Sequence, residues 1–100
     1  MTTVVIEITL SSGVITPEEL PRLGEQFAQA LARADTDTVI ISGRMPVWAF
    51  ADLAALAAQR GCRVSTFDPR LQAGVVIWPA EEAGQLLPVT GEETRLEIVI

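Results

Sequence analysis

The chain is 100 residues long, 49% hydrophobic and 20% charged, with a net charge of −6 and no histidine. That length suits one core, its apolar content lies far from that of disordered chains, and the missing imidazole removes the commonest general base and metal ligand together. The acidic balance excludes broad binding to long nucleic acid, which needs a basic face, and no apolar run nears the about 18–20 residues of a membrane span.

Residues 2–10 are β-branched and alternate from Val4 onward until Ser11-Ser12-Gly13, which predicts the first strand. Thr16-Pro17-Glu18-Glu19 has the form of a capping box with Pro at the first helical position. Leu20, Leu23, Phe27, Leu31 and Ala34 then recur at spacings of three and four, so a helix with one apolar face is expected, its first turns distorted by Pro21. Asp35-Thr36-Asp37 connects it to Thr38–Ser42, a short continuous apolar run of the kind found in central strands.

After the turn Gly43-Arg44-Met45, Pro46 suits a first helical position, and Val47 to Arg60 reads as a well-buried helix stopped by Gly61. Arg63–Asp68 and Ala73–Trp78 follow as strands around the Pro69 to Gln72 turn, and Glu93–Ile100 closes the chain as another. Strand, helix, strand, helix, strand implies two right-handed crossovers. The expected fold is therefore α/β: a Rossmann-like sheet with a parallel core, two main helices and the last strands as antiparallel additions, in one domain over residues 1–100.

In open parallel sheets ligands collect at the carboxyl ends of the strands, where helix amino ends point at the same crevice. Two such ends are unusually polar here. Ser42-Gly43-Arg44-Met45-Pro46 offers a hydroxyl, a glycine that lets backbone approach, an arginine and a helix start, a set that suits phosphate but also makes an ordinary strand-to-helix turn. Asp68-Pro69-Arg70-Leu71 projects an acid and a base from a turn; a capping Asp and a surface ion pair are the plainer readings. All seven basic residues are arginines, which pair with phosphate in planar fashion. The lone Cys62 lies in an apolar-alternating stretch and reads as a small buried hydrophobe. Trp48 and Trp78 suit either stacking on a base or packing in a core or interface, and Asp52 reads as a solvated helix residue.

The run Ile41-Ser42-Gly43-Arg44-Met45-Pro46-Val47-Trp48, followed by Phe67-Asp68-Pro69-Arg70-Leu71 and Val75-Val76, resembles the small CRISPR-associated ring nuclease three family. The resemblance is strongest from about Ile40 to Ile77. It implies a dimer, related to the CRISPR-associated Rossmann fold group, that binds cyclic tetra-adenylate, the second messenger of type III CRISPR defence; some members of the family cleave it using manganese. Carried over by position, Ser42, Gly43 and Arg44 belong to the ligand-binding loop, joined by Pro46 and Trp48, while Asp68 and Arg70 belong to the active site, with Asp68 as the metal-side carboxylate. The family's catalytic histidine falls near the end of the second helix, where this chain has Gln59. An amide cannot exchange a proton as imidazole does, though it can hydrogen-bond a phosphate.

Three readings follow. The first is a cytoplasmic, dimeric protein that binds cyclic tetra-adenylate or a short oligoadenylate and cleaves it by attack of a ribose 2′-hydroxyl on the adjacent phosphorus. The second is a sensor or sponge whose ligand binding controls assembly or a partner. The third is an unrelated α/β protein whose motif match is accidental and whose apolar last strand serves oligomer contact. The cytoplasmic expectation also draws on Met1-Thr2-Thr3, which lacks the basic start of a signal peptide.

Overall fold

The computed structural model describes residues 2–100, so Met1 and the part of the leader reading that rests on it lie outside the described residues. Six strands form a single sheet: β1 (Thr3–Thr9), β2 (Thr38–Gly43), β3 (Arg63–Asp68), β4 (Ala73–Trp78), β5 (Leu86–Pro88) and β6 (Thr94–Val99). Two helices, α1 (Leu20–Ala34) and α2 (Val47–Gln59), make the crossovers from β1 to β2 and from β2 to β3. The strand order is β5-β4-β3-β2-β1-β6. β1, β2 and β3 run parallel, and β4 and β5 are antiparallel additions beyond β3. The α/β architecture with a parallel core is as expected.

One expectation is corrected. The last strand is not an antiparallel addition: β6 pairs parallel with β1, in register from Val4 opposite Thr94 to Thr9 opposite Val99. β5 ends beside Ala73, at the carboxyl end of the parallel strands, while β6 begins beside Val4 at their amino end. The chain therefore crosses between the two edges of the sheet and returns to the amino end of the parallel strands before the last strand forms, so β6 runs in the same direction as β5 and the parallel core.

The crossing is nearly taut. Pro88 and Thr94 are six residues apart in sequence and so span at most about 22 Å, whereas five strand spacings across a flat sheet come to about 24 Å before any descent along the strands. The sheet must curl so that its two edges approach each other. α1 packs on β1 and β6, α2 packs on β2 and β3, and the helices touch each other, so both lie on one face. The curl therefore closes over the opposite, helix-free face. A side chain at Gly74 on β4 would come within 3.1 Å of Ile40 Cγ2 on β2, two strands away, as such a curl requires. It also accounts for Val5, Ile40, Ser65 and Val76, which are buried although they stand apart from the core beneath the helices.

That main core joins Val4, Ile6, Ile8, Val39, Ile41, Val64 and Ile98 of the sheet to Leu23, Phe27, Leu31 and Leu53 of the helices. The expected helix start at Thr16 is present. Glu19 Oε1 accepts from the Thr16 backbone N–H at 2.9 Å and from its hydroxyl at 3.2 Å. Pro17–Glu19 forms a 3-10 turn before the α-helix begins at Leu20, so the proline-rich start is distorted as its sequence suggests. Pro46 caps the second helix from outside instead of opening it, because its extended backbone (ψ 154) turns the chain into Val47. The same helix is buried along Ala49, Leu53 and Ala57 only, with Val47 83% exposed; small alanines around it raised its apolar count without giving it a second buried face. Cys62 is buried, its thiol hydrogen-bonded to the Thr36 carbonyl oxygen and its pKa pushed up by burial, as a structural cysteine requires. No helix among the described residues is long and apolar enough to cross a membrane.

Candidate functional site

A cavity of about 530 Å³ opens at the carboxyl ends of β1, β2 and β3, a volume within the range of small-molecule sites. Gly43 and Arg44 line one part of it, Phe67 and Pro69 another, and the hydrogen-bonded Ser42 and Glu7, with the end of β1 and Gly13, a third. The two sequence motifs thus reach one crevice from neighbouring strands.

Gly43 makes the close approach possible. Its backbone has φ +139, a region L side chains rarely adopt, and a Cβ there would overlap the Ile8 carbonyl oxygen of the neighbouring strand. The strand end can press against β1 only because the side chain is missing. Arg44 follows on the surface, and among the described residues no carboxylate forms an ion pair with it. Its charge therefore faces solvent beside the cavity.

Asp68 and Arg70 are committed to each other. Arg70 donates to Asp68 through its backbone N–H at 2.9 Å, its Nε at 3.4 Å and its Nη2 at 3.1 Å. These bonds from Arg70 hold the Asp68 carboxyl below its ordinary pKa and raise that of the guanidinium in return. The Arg70 side chain is 89% exposed, and the pair sits beside the cavity wall that Pro69 supplies. Both Asp68 oxygens are occupied, and among the described residues no three metal-ligating side chains gather in one place. A single carboxylate already paired with Arg70 does not by itself make a manganese site.

Gln59 lies elsewhere. α2 begins after the carboxyl end of β2 and ends before the amino end of β3, so its 13 residues carry Gln59 to the opposite end of the sheet, about 20 Å away along the helix axis. Within one chain Gln59 and Asp68 do not share a site. Pro46 and Trp48 start that helix at the crevice end without lining the cavity, and Trp78, 48% exposed, sits opposite Val64 at the amino end of the sheet. Neither tryptophan is a core residue of the chain. Asp52 is half-buried, its carboxylate near Gly24 of α1, so it is less solvated than expected.

Two cavity residues escape a sequence reading, Glu7 and Phe67. Ser42 Oγ donates to Glu7 Oε2 at 3.2 Å, and Arg95 Nη1 on β6 pairs with Glu7 Oε1 at 3.0 Å. The available signal was a single acid interrupting an otherwise β-branched and apolar first strand. Phe67 opens the second run that carries the resemblance, but an aromatic residue in a strand is unremarkable in pattern and gave no role of its own.

These features define a small α/β domain whose crevice at the strand ends carries a glycine-permitted close approach, an unpaired arginine and a buried hydroxyl. A family model described as CRISPR-associated protein (Cas_csx3) matches residues 8–86, a span that includes both motif loops. The chain belongs to that CRISPR-associated family, and the accidental-match reading falls with it. No curated protein and no solved structure matches the chain.

Proposed function

We propose that this protein binds a small cyclic oligoadenylate, cyclic tetra-adenylate in the first instance, at the carboxyl ends of β1, β2 and β3. One observation carries the reading: the Ser42-Gly43-Arg44 loop and the loop bearing Asp68-Pro69-Arg70 border the same cavity. Gly43 gives backbone access, Arg44 offers an unpaired guanidinium, and Arg70 stands within reach of the rim, so several phosphates can be neutralised around one opening. Phe67 adds an aromatic surface on which a base can stack. The repeated ligand suits a symmetric site shared between two copies of the chain.

Binding without rapid cleavage is the form of this activity that the geometry favours. In-line attack by a ribose 2′-hydroxyl needs a group to take its proton. Of the two carboxylates at the crevice, Glu7 is engaged by Ser42 and Arg95, and Asp68 is engaged by Arg70, whose hydrogen bonds lower its pKa and make it a weaker base. Gln59 can contribute only from a second copy, because it stands at the other end of its own sheet. The protein therefore acts as a sensor or sponge first, and as a slow ring nuclease only in an assembly that supplies the missing partner.

Incubation with labelled cyclic tetra-adenylate, with and without manganese, tests this directly. A retained ligand with no linear product is the expected result, and Arg44→Ala should weaken retention about tenfold or more, the loss of one charge-assisted contact. Absence of binding at micromolar protein would overturn the proposal.

A further inference from the structure

The cavity has two chemically opposite walls. Arg44 presents hydrogen-bond donors on one side. The other side is made by Ser42 and Glu7, whose side chains present acceptors. In the Ser42–Glu7 bond the hydroxyl donates to Glu7 Oε2, leaving the Ser42 oxygen with lone pairs alone toward the cavity. Arg95 Nη1, 3.0 Å from Glu7 Oε1, ties down the other oxygen of that carboxylate. Ser42 is only 7% exposed, which leaves it little room to reorient toward solvent.

A phosphodiester brings only acceptors and a negative charge, so it has nothing to offer the Glu7 wall. The geometry points to Glu7 as a specificity-determining residue that, with Ser42, receives a hydrogen-bond donor of the bound nucleotide while the phosphates face Arg44. Two groups of an adenylate carry such a proton, the ribose 2′-hydroxyl and the exocyclic amine of the base. The pair thereby reads nucleotide identity on one wall while the other reads charge. A ligand lacking the donor leaves the lone pairs of the buried Ser42 oxygen without a partner, a loss of about tenfold or more in affinity.

This inference rests on the oligoadenylate reading above, and one set of titrations separates the two. Dissociation constants would be measured by calorimetry for cyclic tetra-adenylate, for its all-2′-deoxy counterpart and for cyclic tetra-inosinate, which lacks the amine. The proteins would be the wild type, Glu7→Gln and Ser42→Ala, with circular dichroism to establish that each variant is folded. The wild type should bind one of the two altered ligands at least about tenfold more weakly than cyclic tetra-adenylate, and which one names the donor. Both variants should shrink that ratio toward one, chiefly by losing affinity for the complete ligand. Equal binding of all three ligands by the wild type overturns the role of Glu7 while leaving the proposed function standing, as does a ratio unchanged in both variants. Failure of the wild type to bind any of the three ends both.

Discussion

Replacing Gly43 with alanine tests the link between the strand geometry and the crevice. Two costs add. Holding a non-glycine residue at φ +139 strains the backbone by about 1–3 kcal/mol. The new methyl also meets the Ile8 carbonyl oxygen, a backbone atom that cannot turn aside, and overpacking of that kind costs a further ~1–3 kcal/mol. The sum, about 2–6 kcal/mol, is a large fraction of the about 5–15 kcal/mol that stabilises a typical domain. Even its low end lowers the melting temperature by about 10 °C in a domain of this size. The measurement is urea or thermal unfolding followed by circular dichroism, with Gly61→Ala as control. Gly61 also has a positive φ, +82, but nothing lies within 4 Å of where its Cβ would stand. Its alanine variant should therefore lose only the left-handed backbone penalty, about 1–2 kcal/mol. Equal losses at the two positions would refute the argument that Gly43 is required by its contact with β1.

Other outcomes follow from the same structure. Glu93 accepts hydrogen bonds from the backbone N–H groups of Thr90 and Gly91 and from the Thr90 hydroxyl, and the first of these chiefly holds its pKa down at about 2. A depressed folded pKa stabilises fully above the unfolded value and is lost as pH falls toward the folded one, so acid unfolding between about pH 4.5 and 2 should be shallower in Glu93→Gln than in the wild type. Phe27, fully buried beneath the sheet, should cost about 3–5 kcal/mol on replacement by alanine, measured as a drop in urea midpoint at unchanged slope. Ser65 donates to the Val39 carbonyl oxygen at 3.0 Å under the curled face, and Ser65→Ala should cost about 1 kcal/mol; a neutral change would mean that this buried carbonyl needs no partner.

Much of this fold is written in short-range punctuation. β3 and β4 occupy Arg63–Asp68 and Ala73–Trp78, as their residue pattern indicates, because Gly61 and Pro69 mark where extended chain begins and ends. β5 leaves no such trace: Leu86-Leu87-Pro88 is three residues with a proline, and it becomes a strand only because β4 offers an edge. The direction of β6 was equally hidden, since alternation tells which residues face inward and nothing about which neighbour they pair with. At the crevice, Ser42, Gly43 and Arg44 are legible from the rule that ligands gather at strand ends, whereas Glu7 acquires meaning only when β1, β2 and β6 bring it between Ser42 and Arg95. The separation of Gln59 from Asp68 follows from the element order alone, since a crossover helix between parallel strands must carry its two termini to opposite ends.

The short span from Val89 to Glu93 acts as a drawstring on the sheet. Its length, and not any side chain along it, limits how far the two outer strands can part, so loosening it by a few inserted residues would relax the curvature with every core contact still in place. Val5 and Ile40, shielded by that curvature and by no helix, would then be the first to meet water.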